Sequence, residues 1–263
     1  MSKFLIPSDR IPKPFNQDIV AENRKLITSV GSCAACTLTK ILEVLNYIKT
    51  GEYTYLSKGY MYGRNNYPGK KNPGMQVQYT LDILLKRGSV PANLCVEYAE
   101  VPDIINKIKN RPDLDELDKI AEDYKIKSWE NIGKQNLFKN VKKYLEEKQI
   151  PLAVKIASWK GEPHSVVAVG YEDDYILWQD HDGTDEIHRL PYKRFTEAYY
   201  LEGEANMKKF DDVEDSRWSK KYIEKVYEEG LMKGVTENSF APSEPVTREQ
   251  LAAVLCRALY GME

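Results

Sequence analysis

Histidine is scarce in this chain: three in 263 residues, at positions 164, 181 and 188. Any chemistry that needs an imidazole must draw on one of these. Cysteine is scarce too. Four in a chain of this length do not make a disulfide framework; Cys33 and Cys36 are close in sequence, Cys95 and Cys256 are remote, and mostly free thiols are expected. A zinc site would want a second Cys/His pair at metal spacing, which Cys95 and Cys256 do not supply, so neither a metal nor a cofactor is expected. No apolar run approaches the roughly 18 residues of a membrane-spanning helix. Charge of neither sign dominates: 38 basic against 40 acidic residues leave a formal net charge of −2, so no basic field argues for nucleic acid. The opening Met1-Ser2-Lys3-Phe4-Leu5-Ile6-Pro7 lacks the apolar core of a secretory signal, and export by that route is not expected.

What is present suits a globular protein, with 42% hydrophobic and 30% charged residues. Residues 1–30 read as an extended leader with Pro7, Pro12 and Pro14. From Cys36, the apolar positions Leu38, Ile41, Leu42, Leu45 and Ile48 recur at helical spacing, and Gly51 is a natural stop. Residues 53–74, rich in Tyr, Gly, Asn and Pro, read as a loop with a short helix. A second helix is predicted over Gln76–Lys86, ended by Gly88. The charged stretch Asp103–Lys125 reads as helical or as an insertion, and Leu137–Lys148 as a helix. The pattern then turns to strands: residues 151–157, and a hairpin of Ser165–Tyr171 and Tyr175–Gln179 about the turn Glu172-Asp173-Asp174. A helical half therefore precedes a β half. Gly203-Glu204-Ala205-Asn206 reads as a linker, dividing the chain into residues 1–205 and 206–263.

Cys36 stands where the first helical pattern begins, and the positive end of a helix dipole favours thiolate over thiol. The hairpin turn centres near residue 172. His164 and Asp180 lie at equal distances from it and are expected to face each other at the open end of the pair. An aspartate there holds an imidazole nitrogen and favours the protonated ring. A cysteine, a histidine and a polar orienting group make a nucleophilic catalyst. Other readings stand beside this one. Cys36 is a buried structural cysteine in the plainest of them, and Cys33-Ala34-Ala35-Cys36 is also a C-x-x-C at a helix start, as in redox proteins. Asp180-x-Asp182-Gly183-x-Asp185 has some calcium-loop character but lacks the later bidentate glutamate. His181 and His188 read as surface residues.

These segments resemble the papain-like (C1) cysteine peptidases. Gly31-Ser32-Cys33-Ala34-Ala35-Cys36 is similar to their active-site stretch G-S-C-G-S-C, His164-Ser165-Val166-Val167-Ala168-Val169-Gly170-Tyr171 to their H-A-V-x-x-V-G-Y strand, and Asp180-His181-Asp182-Gly183 stands in the place of their N-S-W-G. The resemblance runs over about residues 5–203 and implies an α+β, two-lobed fold, a helical lobe beside an antiparallel β lobe with the site in the cleft. It also implies a role for each residue: Cys36 as nucleophile, His164 as general base and acid, Asp180 as orienting third member, and Gly74 with Met75 at the segment that binds extended peptide. The implied reaction is acyl transfer through a thioester, with a peptide or protein as substrate. Three positions depart from the family: Val30 where a glutamine donates to the oxyanion hole, Asp180 for asparagine, and Asp182 for the shielding tryptophan.

The tail has its own pattern. Trp218, Tyr222, Ile223, Val226, Tyr227 and Leu231 fit one helix, Leu251, Val254, Leu255 and Leu259 another, and Thr247 with Gln250 makes a capping box before the second. Phe210, Asp212-Val213, Trp218, Tyr222-Ile223, Gly230, Gly234, Phe240, Pro242 and Thr247-Arg248-Glu249-Gln250 resemble an S-layer homology module, a small all-α helical hairpin. That resemblance implies binding of secondary cell-wall polysaccharide on Gram-positive bacteria, with Trp218 and Arg248 as glycan-binding residues; an arginine fork suits carboxylates. One copy where the family usually carries three implies a homotrimer or a purely structural role. The two resemblances together imply a peptidase directed to a bacterial envelope. With no signal in view, a phage or prophage factor released by lysis, or a virion component, is the expected source. The alternative is an impaired papain-like protein that only binds, motivated by Val30 and Asp182.

Overall fold

The computed structural model describes residues 2–8, 10–11, 32–51, 53–65, 74–95, 103–180, 186–203, 210–214, 217–228, 230–236 and 238–260. The chain forms two compact units, Met1–Glu204 and Ala205–Glu263.

The first unit begins with β1 (Lys3–Leu5) and a run of helices: α1 (Cys33–Thr50), α2 (Lys58–Asn65), α3 (Val77–Lys86), α4 (Ile104–Lys109) and α5 (Leu114–Ala121). Then follow β2 (Ile126–Asn131), α6 (Leu137–Lys148), β3 (Leu152–Trp159), β4 (Glu162–Glu172), β5 (Tyr175–Gln179), β6 (His188–Pro191) and β7 (Phe195–Gly203). The strands make one seven-stranded sheet in the order β2-β7-β3-β4-β5-β6, with β1 paired to β4 off that path. Every pairing is antiparallel. The expected helix-then-strand order holds, and the charged stretch after Asp103 is α4 and α5.

The α1 helix runs through the middle of the helical lobe. Every residue from Ala34 to Leu45 is buried, so this helix is enclosed all round rather than amphipathic. Gly51 ends it in the left-handed region at φ 75°, donating its N–H to Tyr47, a conformation open to glycine at little cost. Enclosure traps two charges, Lys40 and Glu43, each about 1% exposed. The Glu43 carboxylate accepts from the Tyr53 hydroxyl at 2.6 Å and the Leu56 N–H at 2.9 Å. Burial pushes its pKa up, against the pull of Lys40 and Lys58. A buried charge of this kind is tolerated only when its hydrogen bonds and counter-charges are supplied.

Two cores lie on opposite faces of the sheet. One joins α1 to α5 with Ala153, Val167, Val169, Tyr199 and Leu201. The other packs Val141 and Leu145 of α6 on Leu152, Val154, Val166, Ala168 and Trp178. Side chains along a strand alternate faces, and β4 changes phase once. Ala168 pairs Trp178 and Gly170 pairs Leu177, leaving Val169 as a bulge. Tyr171 therefore joins the same core as Val166 and Ala168. Gly170 lets β1 lie against this kink; a Cβ there would sit 2.4 Å from the Phe4 carbonyl oxygen.

The second unit holds α7 (Lys220–Glu228) and α8 (Arg248–Tyr260) around a small core of Phe210, Val213 and Ile223, with Tyr227 and Phe240 packed on it. The predicted capping box forms: Thr247 N–H donates to Gln250 Oε1 at 2.8 Å, and Gln250 N–H to Thr247 Oγ1 at 3.1 Å. Asp212 ties the start of the unit to the loop before α8, accepting from the Ser239 hydroxyl and from the N–H groups of Phe240 and Ala241. These bonds hold its carboxyl below the usual range. A carboxylate with a depressed folded pKa adds stability above the ordinary value of about 3.9, and that stability is lost as pH falls through the folded pKa. An Asp212→Ala protein is therefore expected to melt its second unit at a lower temperature than wild type at pH 7. The difference should shrink in acid; a melting curve of the tail that ignores the substitution at every pH would count against this.

Candidate active site

The helix that carries the site begins at Cys33, not at Cys36 as expected from the periodicity. Cys33 is half-buried at the first helical position. Its thiol meets the His164 ring and the backbone N–H of Ser165, at the start of β4. Burial raises the Cys33 pKa, and the hydrogen bonds and charge from His164 and Ser165 outweigh that, leaving it below the ordinary thiol value. The helix dipole acts in the same direction.

His164 Nε2 lies 2.9 Å from Asp180 Oδ1. With Nε2 on the carboxylate, the other ring nitrogen is the one presented to Cys33. Burial lowers the His164 pKa, but Asp180 and Cys33 more than offset it and lift it to about 9. The lowered thiol and the raised imidazole both shift the pair toward the thiolate–imidazolium form. Such a pair titrates as a unit.

Asp180 reaches His164 by a route that differs from the predicted face-to-face pairing. The last β4–β5 pair is Val167 with Gln179, so continuing the ladder sets Asp180 opposite Val166. His164 is then its diagonal neighbour on the same face, within reach of long polar side chains. The register differs because the turn sits at Asp173-Asp174, between Glu172 and Tyr175, and not at residue 172; the bulge at Val169 recovers one residue of that offset.

Cys36 does not join this group. It is 2% exposed, and its thiol contacts Ser32 Oγ at 3.9 Å. Its N–H is bonded to the Ser32 carbonyl at 3.0 Å, as an inner helical position requires. Of the two thiols at this helix end, that of Cys33 is the one that meets His164. A signal was available in the sequence: helix N-termini favour serine immediately before the first helical residue, and Ser32 precedes Cys33.

Gly74 is exposed and a Cβ there would meet nothing within 4 Å. Met75, predicted to meet substrate beside it, instead buries its side chain in the helical core at 8% exposure. Val30, His181 and Asp182 lie outside the described residues. His188 is half-buried: its ring lies 4.5 Å from that of Trp178 and 6.3 Å from that of Trp159. In the second unit, Trp218 is 80% exposed, edge-on to Tyr222. Arg248 opens α8 in an exposed position.

A separate cavity of about 590 Å³ lies among α2 to α5, lined by charged residues including Arg64, Arg87, Lys109 and Asp118. Its polar groups are knitted together: Arg64 makes two bonds to Asp118, Tyr60 donates to the same carboxylate at 2.5 Å, and Arg87 donates to Asn65 at 2.6 Å. Among the described residues, no group of three or more His, Cys, Asp and Glu is arranged to hold a metal ion, and no helix is long and apolar enough to cross a membrane.

Comparison with known proteins follows the same division of the chain. The family model of the S-layer homology domain matches residues 209–252. An endoglucanase of Bacillus sp. (strain KSM-635) is 40% identical over 60 residues, which is 23% of this chain and 6% of the endoglucanase, so the chain spans a small part of that protein. Among solved structures, xylellain, a cysteine protease from Xylella fastidiosa, superposes with a TM-score of 0.53 at 16% identity, over 66% of this chain and 80% of its own. A cysteine protease of Carica candamarcensis, solved in complex with E-64, gives 0.53 at 15% identity over 77% of this chain and 99% of its own. The bromelain protease of Ananas comosus gives 0.50 at 13% identity over 70% and 97%. At these identities the likeness is one of fold. The chain thus joins a domain with the fold of papain-like cysteine proteases to a C-terminal S-layer homology module.

Proposed function

We propose that the chain is a cysteine peptidase with Cys33 as nucleophile, His164 as general base and acid, and Asp180 as the group that orients the imidazole. The observation that supports this is the continuous chain of contacts from Cys33 through His164 to Asp180. The thiolate attacks a peptide carbonyl, His164 gives its proton to the leaving amine, and water hydrolyses the thioester. Backbone N–H groups of the first helical turn, which lack intrahelical acceptors, are suited to the developing oxyanion. The test is an epoxide of the E-64 type, with the modified residue located by mass spectrometry. Label on Cys33, lost in His164→Ala, is the expected result; no label and no peptide turnover between pH 5 and 8 would sink the reading.

A second reading keeps the fold and drops most of the rate. Counted from Cys33, the position six residues earlier is Ile27; counted from Cys36 it is Val30. Neither side chain can donate to an oxyanion as the family's glutamine does. Loss of one such donor costs roughly 10²–10³ in rate. A protein that labels at Cys33 but turns over no peptide would fit this second reading.

The S-layer homology module supports association with a bacterial cell envelope, and secondary cell-wall polysaccharide as its ligand. Trp218 and Arg248, both exposed, are the residues proposed to hold acidic sugars. Arg248→Ala is expected to weaken retention on purified wall polysaccharide roughly tenfold, as loss of a charge-assisted bond would. Retention unchanged by the substitution would remove Arg248 from the site. Leu251, Leu255 and Leu259 follow one another at four-residue spacing along α8 and are all exposed, which supports self-association of the module as a trimer. Sedimentation of the full chain as a monomer at high concentration would count against that.

A further inference from the structure

Cys36 is left without a part in the chemistry just described, yet it stands three residues after Cys33 on the same helix. We propose that Cys33 and Cys36 are a modification site: a hydroperoxide converts them to a reversible intrahelical disulfide that silences the thiol facing His164. The inference rests on the reading of Cys33 as the reactive thiol.

Helix geometry supplies the reach. At a rise of 1.5 Å and 3.6 residues per turn, positions three apart have Cα atoms about 5 Å apart, inside the range a disulfide spans. Helical side chains tilt toward the N-terminus, and Cys36 does so here: its Sγ sits 3.9 Å from the Oγ of Ser32, the residue next to Cys33. The Cys36 thiol therefore points back along the helix toward the residue it would join. Between them stand Ala34 and Ala35, with no larger side chain to constrain the first turn as it tightens. The two thiols also differ as an oxidant would need. Cys33 is partly open, while Cys36 is buried. Cys95, also buried, belongs to the helical core.

The chemistry balances. The Cys33 thiolate attacks the outer oxygen of the hydroperoxide, breaking the O–O bond; Cys33 becomes a sulfenic acid and the hydroperoxide is reduced to an alcohol or water. The Cys36 thiol then attacks the sulfenic sulfur. An S–S bond forms, the S–O bond breaks, and water leaves with the Cys36 proton. Two thiols are oxidised and one peroxide is reduced. His164 and Ser165 stabilise the Cys33 thiolate in the first step, and thiolate character governs susceptibility to this oxidation. Without a nearby second thiol, the sulfenic acid proceeds to sulfinic acid, which ordinary thiols do not reverse.

The experiment exposes the full chain to stoichiometric hydrogen peroxide. It reads intact mass, peptide mapping and epoxide labelling of Cys33, before and after dithiothreitol. Wild type is expected to lose two hydrogens in mass, to show a Cys33–Cys36 crosslink, to lose its label, and to regain it on reduction. Cys36→Ala is expected to gain oxygen atoms at Cys33 and not to recover. Oxygen gain in wild type with the same irrecoverable loss, or a crosslink to Cys95 or Cys256 instead, would overturn the proposal. If reduced Cys33 takes no epoxide at all, the peptidase reading fails; the mass and crosslink readouts still decide the disulfide on their own.

Discussion

A Cys33→Ala protein is expected to lose epoxide labelling entirely and peptide turnover by roughly 10⁴-fold or more, the scale on which removal of a nucleophile acts. A Cys36→Ala protein should keep both. The two residues sit on one helix only three positions apart, so the contrast tests the site and not the fold. Cys33 meets His164, whereas Cys36 is turned inward at 2% exposure. Truncating Cys36 leaves a small cavity, and a cost of about 1 kcal/mol in stability is the expected scale. Circular dichroism on both variants separates loss of chemistry from loss of structure. Labelling kept in Cys33→Ala and lost in Cys36→Ala, with both folded, would return the assignment to Cys36.

The second large effect concerns Asp180. The carboxylate at 2.9 Å from His164 helps hold the imidazolium to about pH 9. The pH profile of kcat/KM should therefore have an acid limb below the ordinary thiol range, set by Cys33, and an alkaline limb near pH 9, set by His164. Asp180→Asn preserves a hydrogen-bond acceptor and removes the charge. His164 then relaxes toward its ordinary value of 6.5, and the alkaline limb moves to lower pH. Asp180→Ala also frees the ring to rotate and is expected to cost roughly 10²–10⁴ in rate. The same pair has a stability signature. His164 has a raised folded pKa, so its contribution is fully present below about 6.5 and is lost as pH rises through about 9. An alkaline limb that stays in place in Asp180→Asn would show that the carboxylate does not set the His164 titration.

Much of the architecture is legible from local pattern because local physics dictates it. Leu137–Lys148 and Tyr175–Gln179 form with the predicted bounds, since each carries a full period of its own signal between clear stops. The Thr247–Gln250 box closes within four residues and needs no tertiary contact. Strands β2, β6 and β7 escape such a reading. Residues Ile126–Asn131 and His188–Pro191 form short edge strands; the first lacks a regular alternation of burial, and the second is only four residues long. They are strands because β7 and β5 offer them hydrogen bonds.

The sequence by itself determined that a helical half precedes a β half, that a second unit follows near residue 204, and that His164 and Asp180 end neighbouring strands. Only the tertiary structure decided which cysteine meets them. Cys33 and Cys36 both stand at the head of one helical pattern, and a linear spacing treats them alike. Three residues along a helix rotate a side chain by about 300° and raise it by 4.5 Å. One thiol thus stays at the open end of the helix while the next is carried into the core. Which fate falls to which residue depends on where β4 crosses α1, a contact between segments more than a hundred residues apart.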